Sequence, residues 1–267
     1  IREADRQFAG SPEILQDLWV QAGIESYRQK KLDLAEYFFL KMWSLPKPDR
    51  LSQAVPLYLA EIAVQKGQYP QAASVLERYM ELTGDPAQAE LPLLRLADIR
   101  LLEGEYVTAA ALYEDFVKRY PNSSRICEAG TLRAYCLYRN GDLDGCLAQA
   151  SRLLSSDPES PFRPDLYRLL VAVHKSKGQA AQAVMMLREY LELYPEDSKA
   201  RADLLRLLFV QRDFSGIVAE TDRLQKDPYL FLLSNYLRGL AEISRKNYRS
   251  ALSSLQGLSR EELTKVG

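Results

Sequence analysis

Small and turn-forming residues recur at one fixed interval along this chain of 267 residues. Four glycines follow one another at steps of 37 residues: Gly67, Gly104, Gly141 and Gly178. The same step separates Pro121, Pro158 and Pro195, and it separates Ala35, Ala72, Ala109, Cys146 and Ala183. A fixed period of this length is typical of stacked repeats, each of which packs only on its neighbours. The spacing therefore predicts a solenoid rather than one globular core.

Each period contains two amphipathic segments at helical spacing. Between Leu91 and Tyr120 the apolar positions before the turn at Gly104 are Leu93, Leu94, Ala97, Leu101 and Leu102, and those after it are Tyr106, Ala109, Ala110, Tyr113, Phe116 and Val117. Such stripes are typical of helices, and runs of strand type are absent. We therefore predict an all-α fold, a right-handed α-solenoid of about seven helix pairs in a single domain over residues 1–267.

The turns and boundaries of the repeats follow from these columns, continued beyond Gly178 by two steps of 34 residues. Turns within the pairs are predicted at Lys30, Gly67, Gly104, Gly141, Gly178, Arg212 and Lys246. The repeats then span approximately 12–47, 48–86, 87–122, 123–159, 160–196, 197–229 and 230–262. Residues 1–9 read as the tail of a preceding helix, and Ser259 to Glu262 read as a capping box that opens another. Neither end supplies a clear polar cap, so we expect the native protein to continue or its ends to stack on a partner.

These columns resemble the tetratricopeptide repeat. That family places a small residue on the first helix of each pair, as at Gly23, Ala60, Ala97, Ala134 and Gly239. It places an aromatic residue after the turn, as at Tyr69, Tyr106, Phe214 and Tyr248. The stretches AAALYEDFVKRYPNSS (109–124) and VMMLREYLELYPEDS (184–198) also look like repeats of bacterial envelope proteins. This second likeness implies a bacterial protein of the periplasm or cell envelope rather than the cytoplasm.

Composition excludes several other classes of protein. Lys plus Arg total 35 against 36 for Asp plus Glu, so nucleic acid is not an expected partner. The charge is uneven: residues 51–121 carry a net −4 and residues 199–249 a net +4. No run approaches the roughly 18 apolar residues of a membrane span.

No pattern in the chain points to catalysis. His174 is the one histidine, which is a poor basis for a metal site or for acid–base chemistry. The three cysteines, Cys127, Cys136 and Cys146, form no CxxC motif. Phosphate-binding glycine loops are absent. We therefore expect no enzyme activity, no cofactor and no metal ion.

Binding is the better interpretation, because in the resembled family the first helix of each pair lines a concave groove. On this chain that face includes Leu57, Glu61 and Val64 in the second repeat, and Leu94, Asp98 and Leu101 in the third. The residues nominated for binding are all aromatic or basic: Tyr27, Tyr135, Tyr138, Arg139, Arg168, Lys175, Arg206 and Phe209. Tyr and Arg are enriched at interface hot spots.

The resulting hypothesis is a protein–protein interaction scaffold whose concave groove binds a partner peptide or protein, with an acidic peptide as the suggested ligand. Three alternatives stay open. The chain could be a structural assembly subunit that uses its ends or convex surface, with self-association through uncapped ends. It could bind a small ligand in the concave cavity. It could also be part of an enzyme whose catalytic domain lies elsewhere.

Overall fold

Fourteen α-helices account for most of the residues that this computed structural model describes, which are 12–43, 54–221, 228–256 and 258. In chain order they are α1 (Pro12–Arg28), α2 (Leu32–Trp43), α3 (Ala54–Gln65), α4 (Tyr69–Thr83), α5 (Pro86–Leu102), α6 (Tyr106–Arg119), α7 (Ile126–Arg139), α8 (Leu143–Ser156), α9 (Arg163–Ser176), α10 (Ala180–Leu193), α11 (Ser198–Val210), α12 (Phe214–Thr221), α13 (Pro228–Ser244) and α14 (Tyr248–Leu255). No strand occurs among these residues. The prediction of an all-α solenoid of helix pairs is confirmed. The predicted helical tail at 1–9 and the capping box at 259–262 lie outside the described residues.

The seven predicted turns all adopt the left-handed backbone that ends a helix. Their central residues have positive φ: Lys30 (59°), Gly67 (72°), Gly104 (80°), Gly141 (84°), Gly178 (69°), Arg212 (59°) and Lys246 (63°). At six of these turns, all except the one at Gly141, the hydrogen bonds are those of a Schellman motif. At the turn between α3 and α4, for example, the Gln68 N–H donates to the Ala63 carbonyl (2.8 Å) and the Gly67 N–H to the Val64 carbonyl (2.9 Å).

Aspartates cap the helices that follow several of these turns and loops. The Asp85 carboxylate accepts from the Ala87 N–H at the start of α5 (3.0 Å), and Asp197 accepts from the Ala200 N–H at the start of α11 (3.0 Å). Each bond satisfies a backbone donor that the first turn of a helix leaves free. The local sequence thus sets where these two helices begin.

The columns of small residues lie where two helices approach closely. Ala60, Ala97 and Ala134 on the first helices are at most 3% exposed. At Gly23 an added Cβ would lie 2.6 Å from the Phe39 ring, and at Gly239 it would lie 2.5 Å from the Leu255 side chain. A larger residue at these positions would push the second helix of the pair away. This explains why a small residue recurs at this position in the repeats.

The chain divides into two compact units, Ile1–Gly141 and Asp142–Gly267, here called the front unit and the rear unit. In the front unit the core is built from buried side chains such as Phe39, Leu76, Tyr113 and Phe116. In the rear unit it is built largely from side chains of α9 to α13. The repeat boundaries and the single domain expected over 1–267 stay predictions.

Within the described residues, no helix combines the length and the apolar character that crossing a membrane requires.

Candidate functional site

A groove of about 630 Å³ runs across first helices in the front unit. It is called the front groove, and its lining residues come from α1, α3, α5 and α7, the first helices of four consecutive pairs: Tyr27, Ala54, Leu57, Tyr58, Ala60, Glu61, Val64, Leu91, Arg95, Asp98, Ile99, Leu101, Leu102 and Leu132. Eleven of these fourteen residues carry no charge. Ligand sites in proteins are typically concave, about 300–1,000 Å³ in volume and mostly apolar, so the front groove has the dimensions of a binding site.

Repeat-equivalent positions form two rows along the front groove. One row is apolar and consists of Tyr27, Val64 and Leu101, which follow one another at 37 residues. The other row is acidic and consists of Glu61 and Asp98, also 37 residues apart. Because each step of 37 residues leads to the equivalent position on the next first helix, the same kind of surface is repeated along the groove.

Aromatic packing shapes the α1 end of the front groove. The ring of Tyr27 contacts that of Tyr58 edge-on, with 5.0 Å between centroids, and Tyr58 stacks on the buried Phe39 at 5.1 Å. The Tyr27 hydroxyl accepts a hydrogen bond from the Gln65 amide (2.9 Å). Burial, followed by the nearby Glu61 charge, raises the pKa of Tyr27. Gly23 makes this wall possible, since it leaves room for Phe39.

The two carboxylates of the front groove differ in whether a basic residue pairs with them. Glu61 is exposed and accepts from the Gln65 amide (2.9 Å), and it forms no ion pair with any Lys or Arg that the structure describes. Asp98 is half-buried, accepts from the Tyr113 hydroxyl (2.7 Å) and pairs with Arg95 (2.9 Å). Arg95 is the one basic residue of the described lining, so the groove carries a net negative charge.

A second cavity, of about 390 Å³, lies in the rear unit. It is called the rear pocket and is lined by residues of α9, α10 and α11 with the Asp197 cap: Tyr167, Arg168, Val171, Ala172, Lys175, Leu187, Tyr190, Asp197, Lys199, Ala200 and Asp203. Two of the nominated binding residues, Arg168 and Lys175, lie in it. Lys175 and Lys199 are both exposed, and neither forms an ion pair within the described part of the chain.

Arg168 of the rear pocket is engaged by the protein itself. Its guanidinium donates to Asp197 (3.0 Å), to the Tyr190 hydroxyl (3.3 Å) and to Asp165 (3.3 Å). The hydrogen bond to Asp197 raises the pKa of Arg168. Burial alone would raise the pKa of Asp197, but the hydrogen bonds from Ala200, Tyr190 and Arg168 outweigh burial and lower it. An acidic ligand therefore has to compete with these carboxylates for Arg168.

The other nominated residues fall into separate places. In the front unit, the Arg139 guanidinium lies 4.6 Å from the centre of the Tyr106 ring, and it donates a hydrogen bond to the Tyr135 hydroxyl. Tyr138 is half-buried on the same helix, α7. In the rear unit, Arg206 is exposed and pairs with Asp203 (3.6 Å), while Phe209 packs edge-on against Phe214. The assignment of these residues to a binding surface stays a prediction.

Most residues of the front groove were outside the nominated set. The first-helix face mapped from sequence did include Leu57, Glu61, Val64, Asp98 and Leu101, which line the groove, whereas Leu94 on the same face is fully buried. Among the lining residues that the mapping missed, three also follow one another at 37 residues: Tyr58, Arg95 and Leu132. Each of the three lies one residue after a position of the mapped face, so including the next residue on each first helix would have found them.

No described group of three or more His, Cys, Asp and Glu side chains is placed to hold a metal ion.

Comparison with known proteins supports the fold. A family model for the tetratricopeptide repeat matches residues 93–123, which include much of α5 and all of α6. A solved tetratricopeptide repeat protein from Parabacteroides merdae ATCC 43184 is 13% identical over 94% of this chain and 97% of its own, with a TM-score of 0.62. The apo form of RapI is 10% identical over 94% and 99%, with a TM-score of 0.57.

A third solved structure is YrrB, described as a tetratricopeptide repeat protein with an unusual peptide-binding site. It is 18% identical over 68% of this chain and 88% of its own, with a TM-score of 0.54. No curated protein sequence matches the chain. The chain therefore contains a tetratricopeptide repeat at residues 93–123, and it shares the α-solenoid fold of these solved structures.

Proposed function

We propose that this protein is an interaction scaffold that binds a partner peptide in the front groove. Stacked helical repeats are used as scaffolds for protein–protein contacts, because they present extended concave surfaces. One observation carries the choice of site: the first helices of four consecutive pairs line a single, mostly apolar groove of about 630 Å³. A groove of this size accommodates several side chains of an extended or helical segment.

Selection of peptides with a matched pair of variants tests this proposal. The full 267-residue chain is panned against a random 12-residue peptide library displayed on phage, and enriched peptides are synthesised for affinity measurements. Leu102 lines the front groove and is 57% exposed, whereas Leu82 lies on α4, outside the groove lining, and is 56% exposed. Equal exposure makes Leu82→Gln a control for Leu102→Gln.

We expect the enriched peptides to bind the Leu102→Gln variant several times more weakly than the wild type, and to bind the Leu82→Gln variant with unchanged affinity. Loss of one apolar contact of this kind is worth on the order of 1 kcal/mol. If no peptide is enriched, or if both variants bind equally well, the front groove is not a peptide site.

The rear pocket supports a second candidate, the acidic partner expected from the sequence. Lys175 and Lys199 line it and form no ion pair with a described residue, so a carboxylate of a peptide would find two available ammonium groups there. Fluorescence anisotropy with a labelled Glu-rich peptide measures this affinity. The Lys175→Gln/Lys199→Gln double variant is expected to weaken binding, and the control Lys118→Gln, which lies on α6 in the front unit, is expected to leave it unchanged. Equal binding by both variants would exclude the rear pocket.

Self-association through the ends and an envelope location remain predictions. At one end of the described chain Leu252 of α14 is 64% exposed, whereas the neighbouring Leu255 packs close to Gly239. Leu252 is therefore the residue whose replacement by Gln should lower any self-association seen by sedimentation. Fractionation of the native cell tests the location.

A further inference from the structure

We propose that the front groove selects segments that combine apolar side chains with a lysine or arginine. This inference rests on the proposed function, because it names the class of peptide that the same groove takes. It follows from three observations: the row of apolar residues, the row of carboxylates beside it, and the way each carboxylate is held.

The apolar row supplies most of the contact surface. Tyr27, Val64 and Leu101 are half-buried at equivalent positions of successive first helices, and Leu102 adds a leucine that is 57% exposed. Such surface gains by contact with leucine-, isoleucine- or phenylalanine-type side chains, since burying it removes apolar area from water. This row by itself sets no charge preference.

The charge preference comes from Glu61. Its carboxylate is exposed in the groove, its one hydrogen-bond donor among the described residues is the neutral Gln65 amide, and no described lysine or arginine pairs with it. A cationic group of a ligand would be the first to neutralise it. An acidic group would meet like charge at close range, which disfavours binding.

Asp98 extends the same preference along the groove. The buried Tyr113 hydroxyl donates to one of its oxygens (2.7 Å), and Arg95 binds the other (2.9 Å). The Tyr113 bond holds the carboxylate in place before a ligand arrives, so little ordering is required on binding. The arginine of the lining is already paired with Asp98, so the described lining offers no second cation to attract an acidic segment.

The test uses the peptides selected from the random 12-residue library, sorted by their sensitivity to Leu102→Gln so that only ligands of the front groove are considered. Their sequences are compared with the unselected library. Affinities are then measured for the wild type, for Glu61→Gln and for the control Glu81→Gln. Glu81 is an exposed glutamate of α4, outside the groove lining. Melting temperatures establish that both variants fold.

We expect the front-groove peptides to be enriched in Lys or Arg next to Leu, Ile or Phe. Their affinity should fall about fivefold with Glu61→Gln, a change within the range of partly exposed ion pairs, and should not change with Glu81→Gln. Replacing the basic residue of the peptide by norleucine should cause a similar loss and should remove the further effect of Glu61→Gln.

Other outcomes separate this inference from the proposed function. Front-groove peptides that lack basic residues, or that bind Glu61→Gln as tightly as wild type, overturn the inference and leave the groove a peptide site. Enrichment of acidic peptides sensitive to Leu102→Gln overturns it as well. If no peptide is selected and the chain dimerises in a manner abolished by Leu102→Gln, the occupant is a second copy and both proposals fail.

Discussion

The hydroxyl of Tyr113 donates a 2.7 Å hydrogen bond to the carboxylate of Asp98, and so joins the fully buried face of α6 to the wall of the front groove. The two residues belong to the two helices of one repeat. A side chain that is part of the core therefore sets the position of a charge that lines the front groove. The packing of the core and the charge of the groove are therefore linked at this point.

Removing that hydroxyl should reduce stability. For Tyr113→Phe we expect the free energy of unfolding to fall by about 1–2 kcal/mol, because a hydrogen bond to a charged group is lost while the ring stays packed. Urea unfolding followed by circular dichroism gives the value. Tyr106→Phe on the same helix is the control, since no hydrogen bond of the Tyr106 hydroxyl occurs among the described residues. Equal losses in the two variants would contradict a stabilising role for the Tyr113–Asp98 bond.

Alkaline pH should destabilise the protein through the same cluster. Burial, followed by the charge of Asp98, raises the pKa of Tyr113, and burial raises the pKa of the neighbouring Cys136 thiol to about 11. In the unfolded chain the pKa of a tyrosine is about 10 and that of a cysteine is about 8.5. Both folded pKa values are higher, so each group contributes stability that is fully present below its unfolded pKa. The contribution of Cys136 is lost as pH rises from about 8.5 to about 11, and that of Tyr113 begins to be lost above about 10.

Urea unfolding between pH 7 and pH 11 measures this loss. The free energy of unfolding should fall less steeply over that range in the Tyr113→Phe/Cys136→Ala double variant than in the wild type. The slope, rather than the absolute stability, is compared because both substitutions also change the core. Identical slopes would show that other groups cause the alkaline loss.

The turn glycines should be costly to replace because of their backbone conformation. Gly141 has φ of 84°, and an added Cβ would meet no atom within 4 Å, so Gly141→Val isolates the conformational cost. We expect a loss of about 1–2 kcal/mol. Asn140 is the control, because it precedes Gly141 in an ordinary right-handed conformation (φ −81°). Thermal unfolding of Gly141→Val and Asn140→Val should therefore give clearly different melting temperatures.

At the turns without glycine, introducing a glycine should instead stabilise the protein. Arg212 has φ of 59°, a left-handed conformation that strains the backbone of a residue with a Cβ. Its side chain is exposed. Arg212→Gly should raise the free energy of unfolding by up to about 1 kcal/mol, because the relief of strain exceeds the extra entropy of the unfolded glycine. At Gln211, which has φ of −76°, the same change should destabilise. A melting temperature that falls in both variants would contradict this account of the turn.

Sequence by itself determined the repeat architecture. The repeat spacing, four steps of 37 residues followed by two of 34, located the seven turns within the helix pairs, including those at Lys30, Arg212 and Lys246, where no glycine marks the position. It also identified the columns of small residues at which the helices of a pair approach closely. These features could be predicted because each depends on neighbours along the chain or on a contact that recurs in every repeat.

Only the tertiary structure decided which side chains are available to a ligand. Arg168 was nominated as a binding residue, but its guanidinium donates a hydrogen bond to Asp197, which lies 29 positions later in the chain. Leu94 and Leu101 share one sequence stripe, yet Leu94 is buried and Leu101 lines the front groove. Glu61 and Asp98 occupy equivalent positions, and only Asp98 pairs with a described cation. The physical reason is that ion pairing and exposure depend on distances of a few ångströms between side chains of different helices, and the period of the chain does not encode those distances.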